Sequence, residues 1–173
     1  MKMKNYLSTI EKIRSERTFP VTTGSGLKLP STKNLPTKVN GLYWIYTQYS
    51  IHDIISCKPS SKNRAVNIAT LAKQHQDLAN IYSMNNYGFN LVYNGIGGGL
   101  RERIQVEFNG GAGTGSLGIL QTSLNDLNKW QISYVILQNN KITPDLNLSY
   151  YEYATVLERT WRLEYGWPLL CRS

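Results

Sequence analysis

Gly41-Leu42-Tyr43, Tyr93-Asn94-Gly95, Arg103 eight positions after Gly95, and Glu158 far downstream form a spaced set of two phenols, a guanidinium and a carboxylate. The planar fork of an arginine matches the oxygens of a phosphate. Glu158 follows Tyr151, Ala154 and Thr155 by seven, four and three residues, and Trp161 lies three beyond, so a helix places its carboxylate on a mostly uncharged stripe. Burial of that charge needs a compensating cation, either a metal or an arginine. Other chemistries fit less well. Leu100 stands where a third glycine of G-x-G-x-x-G would be, no G-K-[S/T] follows a glycine loop, and there is no serine elbow. His52 and His75 are far apart, and Cys57 and Cys171 have no partner spacing, which argues against a zinc cluster, a histidine triad or a disulfide framework.

The elements that must carry these residues follow from periodicity. The segment 41–46, dense in aromatic and branched residues, predicts a strand, and 89–93 a second. In 100–108, Leu100, Ile104 and Phe108 recur every fourth residue as on one helix face, and a glycine loop at 110–115 closes that helix. Residues 117–127 are expected to be helical, 131–137 a third strand and 149–165 the last helix, with Ser149 and Glu152 matching a capping box. Between the first two strands lies an insertion, 47–88, polar at first and predicted helical over 63–84. Ahead of the core, 5–17 predicts a short amphipathic helix, and the prolines and glycines of 18–40 predict a loop or extended arm. The expectation is an α+β fold in one domain, 1–173.

With its elements assigned, the spaced set resembles the GIY-YIG endonucleases, in which a G-[I/L]-Y strand pairs with a Y-x-G strand and the catalytic arginine follows the second glycine by eight residues. The resemblance covers roughly 41–170. It implies a small three-stranded antiparallel sheet flanked by helices, decorated here by the basic segment 1–40 and the helical insertion. It also implies metal-dependent hydrolysis of DNA phosphodiesters by Tyr43, Tyr93, Arg103 and Glu158. Arg103 would clamp the scissile phosphate, Glu158 would hold Mg²⁺ or Mn²⁺, Tyr43 would be the general base and Tyr93 would hydrogen-bond around the same phosphate. Two positions depart from the family. Position 107 is often histidine or tyrosine in restriction-type members and is Glu107 here, at the spacing of a surface pair with Arg103. The proline near the end survives as Pro168, but no asparagine follows it.

Composition agrees with a polyanionic partner. The net charge is +8, and eight Lys and Arg against two Glu leave +6 of it within residues 1–40. With no separate DNA-binding domain evident, target recognition is expected from the arm and the insertion, with Lys28, Lys33, Lys38, Lys58, Lys62 and Arg64 as contacts to double-stranded DNA. That arrangement suits a type II restriction endonuclease, which would have a cognate methyltransferase; a palindromic target would match a homodimer. The alternatives are a structure-specific repair or mobile-element nuclease and a catalytically silent nucleic-acid-binding module. No run approaches the ~20 apolar residues of a membrane span and no signal-peptide core follows Met1, so a cytoplasmic location is expected.

Overall fold

A computed structural model describes residues 2–21, 37–61, 65–78, 81–83, 85–111, 115–144 and 147–172. In chain order the elements are α1 (Lys2–Glu16), β1 (Phe19–Pro20), β2 (Gly41–Thr47), α2 (Ile51–Ile55), α3 (Ile68–His75), β3 (Ile81–Tyr82), β4 (Asn85–Asn86), β5 (Phe89–Gly97), α4 (Leu100–Asn109), β6 (Trp130–Ile136), α5 (Tyr150–Tyr165) and β7 (Trp167–Pro168). The fold is α+β.

The main sheet is antiparallel with the order β1-β6-β2-β5-β4. It therefore has five strands, not three. The three strands legible in the sequence form its middle; β1 and β4 are two-residue edge strands, too short to carry any alternation of side chains. At the centre, β2 is buried at all seven positions, as a strand covered on both faces must be. Leu42, Trp44 and Tyr46 point into one cluster with Leu7 and Ile10 of α1 and Tyr153, Leu157 and Trp161 of α5. Tyr43 and Ile45 point into the other, with Ile104 and Phe108 of α4 and Ile68 and Leu71 of α3. The period of two thus divides one strand between two apolar layers.

Two further expectations need correction. Among the described residues of the helix expected over 63–84, Ile68–His75 is helical, started by the Asn67 side chain, which accepts from the Thr70 amide; downstream, β3 instead pairs in parallel with β7. A short helix, α2, with a Ser50–Asp53 capping box precedes it. Residues 117–127 do not form an α-helix. Gly118 takes a left-handed backbone (φ +59°), the Thr122 hydroxyl donates to Ile119 O and accepts from the Leu124 amide, and Asp126 caps a 3-10 turn, so side chains bond backbone groups that a helix would have used.

The N-terminal segment also has a more structural part than its charge suggests. In α1, Arg14 is fully buried, ion-paired with Glu11 and donating to the Tyr46 hydroxyl at 2.7 Å. Glu11 in turn accepts from the Trp161 indole at 2.9 Å. This polar link joins α1 to β2 and α5. Among the described residues no helix is long and apolar enough to cross a membrane.

Candidate active site

Sheet register brings the first three candidate residues together. Tyr43 on β2 lies opposite Gly95 on β5, and Ile45 lies opposite Tyr93, so the two tyrosines are diagonal neighbours with ring centroids 6.1 Å apart. The glycine is required by this pairing: a Cβ on Gly95 would lie 2.5 Å from the Tyr43 hydroxyl. Gly41 is required for a different reason, because a Cβ there would meet the Val135 carbonyl oxygen at 2.1 Å and Leu100 at 2.7 Å. Immediately after β5, α4 begins, and its period places Arg103 and Glu107 on one side, one turn apart.

These residues converge on the carboxylate of Glu107, which is fully buried. Its Oε1 accepts from the Tyr43 hydroxyl at 2.8 Å and the Tyr93 hydroxyl at 3.3 Å, and pairs with Arg103 Nη2 at 2.7 Å. Its Oε2 accepts from the Leu117 amide at 2.9 Å. The expected Arg103–Glu107 pair is therefore present, but within the site and with its carboxylate shielded from water. Spacing could find that pair; the two tyrosine bonds depend on tertiary register and had no signal in the sequence.

Burial decides the electrostatics. It pushes Tyr43 well above an ordinary phenol, and the negative charge of Glu107 pushes it further. Tyr93 is raised by the same two causes in the same order. Both are neutral hydroxyls that donate to Glu107. Glu107 is itself raised by burial, with Arg103, the Leu117 amide and the tyrosine hydroxyls acting against that rise. A carboxylate so placed holds a proton more readily than one in water.

Glu158 approaches from α5, which packs against β5 and β2. Its Oε1 pairs with Arg162 Nη2 at 2.9 Å. Arg162 is buried, donating from Nε to Asn94 Oδ1 at 2.8 Å and from Nη2 to Asn94 O at 3.2 Å, and its guanidinium stacks over the Trp167 ring. An arginine one turn away thus supplies compensation for the Glu158 charge and ties its carboxylate to β5. Burial raises the Glu158 carboxyl, opposed by Arg162, Arg159 and Arg103. Arg162 was not anticipated, although its spacing of four from Glu158 was available in the sequence.

A cleft of about 1050 Å³ is bordered by Tyr43, Tyr93, Arg103 and Glu158, with the glycines of 95–99 along its wall and Lys38 and Tyr151 also lining it. All four predicted catalytic positions therefore face one hollow. Of the basic residues expected to touch DNA, Lys38 lines this cleft, whereas Lys58 is exposed and lines none of it; Lys28, Lys33, Lys62 and Arg64 lie outside the described residues.

For a divalent ion, the cleft wall offers two carboxylates, Glu158 and the exposed Glu102. Among the described residues no group of three or more His, Cys, Asp or Glu converges. Mg²⁺ differs from zinc and calcium in needing only one or two protein carboxylates, completing its shell with water and phosphate oxygens, and Glu158 at the cleft wall fits that donor set. No known protein family, curated protein or solved structure matches this chain.

Proposed function

We propose that the protein is a metal-dependent DNA endonuclease of the GIY-YIG type, acting as a type II site-specific restriction enzyme. The observation that carries this reading is the meeting of two tyrosine hydroxyls and an arginine on one buried carboxylate at a cleft that Glu158 also lines. The net charge of +8 supports a polyanionic substrate.

The chain's own groups account for the proton and the phosphate. Arg103 borders the cleft and clamps the scissile phosphate, spreading its developing charge over a planar, permanently charged fork. Tyr43 is too weak an acid to wait as a phenolate, so it acts by passing protons: it takes one from the attacking water as its own moves to Glu107 Oε1, 2.8 Å away. The water oxygen bonds to phosphorus, the bond to the leaving oxygen breaks with its electron pair going to that oxygen, and solvent returns a proton there. Tyr93 holds Glu107 from the other side and lines the cleft beside the phosphate. Glu158 would hold the ion, which when bound supplies Lewis acidity at the phosphate. This refines the expectation for Tyr43, from base to relay.

The test is digestion of phage DNA with Mg²⁺ and with EDTA, beside Glu158→Gln, with Mn²⁺ binding followed by electron paramagnetic resonance. Expected are discrete fragments from the wild type in Mg²⁺ only, and loss of both cutting and Mn²⁺ binding in the variant. Retention of DNA without cutting in either protein would leave a binding module, a reading favoured by the arginine partners that both site carboxylates already have.

A further inference from the structure

Beside the cleft lies a second hollow of about 220 Å³, which shares Tyr93, Arg103 and Glu158 with the first and adds Arg162 and Arg172. Three guanidiniums from three parts of the chain line it against a single carboxylate. Two of them are already compensated, Arg103 by Glu107 and Arg162 by Glu158. Arg172 is exposed and has no ion-pair partner among the described residues.

The backbone at Arg172 is tied down. Its carbonyl accepts from Arg162 Nη1 at 3.3 Å, and the preceding residue is tied to β5 and β7: the Asn94 amide donates to Cys171 Sγ at 3.2 Å, and the Trp167 indole donates to Cys171 O at 3.4 Å. Next to the guanidinium, Gly115 has a left-handed backbone (φ +55°), and a Cβ there would lie 3.2 Å from Arg172 Nη1. The space beside the guanidinium is therefore kept clear by a residue with no side chain. At about 30 Å³ per water, the hollow has room for about seven waters, enough for a tetrahedral anion that retains some of them.

We infer that this hollow is a second phosphate subsite, in which Arg172 binds the phosphate next to the scissile one on the same DNA strand. The inference rests on the nuclease reading. A guanidinium without a carboxylate partner takes a phosphate without breaking an existing pair, and its fork suits two phosphate oxygens. Because both hollows share Arg103 and Glu158, a strand whose scissile phosphate lies at Arg103 continues towards Arg172. The contact reads no base; it fixes the path of the strand through the site.

The experiment measures binding of a duplex target in EDTA by fluorescence anisotropy, from 50 to 200 mM salt, for wild type, Arg172→Ala and Arg172→Lys of matched thermal stability. A second set of duplexes carries a neutral methylphosphonate at each phosphate flanking the mapped scissile position. Loss of one phosphate contact should make the slope of log K against log salt shallower by about 0.9 in Arg172→Ala, with Arg172→Lys keeping the wild-type slope. One flanking methylphosphonate should weaken the wild type and leave Arg172→Ala indifferent. A wild type that binds and cuts DNA while Arg172→Ala keeps its slope and its methylphosphonate sensitivity overturns the subsite alone. A wild type that does not bind duplex DNA overturns the subsite and the nuclease reading together.

Discussion

Glu107 has no contact with water, yet it accepts hydrogen bonds from Tyr43, Tyr93 and the Leu117 amide and faces Arg103 from its own helix. Cys171, which follows β7, also lies close enough to feel its charge. In the proposed relay Glu107 must be ionised to take the Tyr43 proton, and burial raises its pKa above that of an ordinary carboxyl. Cleavage should therefore fall on acidification earlier than an exposed carboxylate would dictate, and recover as pH rises through the raised value. In Glu107→Gln, single-turnover rates should drop by about 10²–10⁴ and lose that acid limb, with the fold checked by circular dichroism. A variant that cuts more slowly but keeps the limb would assign it to another group. From the sequence, Tyr43, Tyr93 and Arg103 were expected in one site because their spacing from glycines resembles that of the GIY-YIG nucleases. It could not rank Glu107 above a surface pair, since the bonds that distinguish it join residues 14 and 64 positions apart.

Among the elements, the pairing of β2 with β5 is the one on which the site depends, and the motif glycines have separate duties in it. Gly95 leaves room for the Tyr43 hydroxyl, whereas Gly41 lets β2 pass the Val135 carbonyl. Gly95→Ala would push a methyl group against the group that bonds Glu107. The expected cost is about 1–3 kcal/mol in denaturant unfolding. Activity should fall far more than that loss of stability explains, because displacement of about 1 Å at a reacting group costs about 10² in rate. An active Gly95→Ala protein would show that Tyr43 need not occupy this position. The longer elements were legible because the strands are dense in aromatic and branched residues and the helices keep a period of about four: β2, β6, α4 and α5 lie within a residue of the expected bounds, and β5 runs on from the expected 89–93 to Gly97. The helix expected at 117–127 failed because apolar spacing was counted while Gly118, Thr122 and Asp126, which bond or bend the backbone locally, were not given their weight. Edge strands of two residues have no period to read.

For the molecule as a whole, the net charge of +8 is not one uniform tail. Arg14 belongs to the buried link between α1, β2 and α5, and Arg103 and Arg162 are paired within the site. Lys38 and Arg172 instead line the cleft and the hollow beside it, and in the proposed function they are charges available to DNA. Net charge could suggest a polyanion from the sequence, but only packing separates the cations that hold the fold from those that face a ligand. The central claim joins that charge to the cleft: DNA is bound there and cut at Arg103. The most direct measurement compares initial rates of cleavage of phage DNA in Mg²⁺ by wild type and by Arg103→Ala, with both proteins shown to unfold at similar temperatures. The account predicts discrete fragments from the wild type and a rate lower by at least about 10² in the variant, the loss expected on removing a principal stabiliser of developing charge. Equal rates in the two proteins, or no cleavage by the wild type of any DNA that it binds, would contradict it.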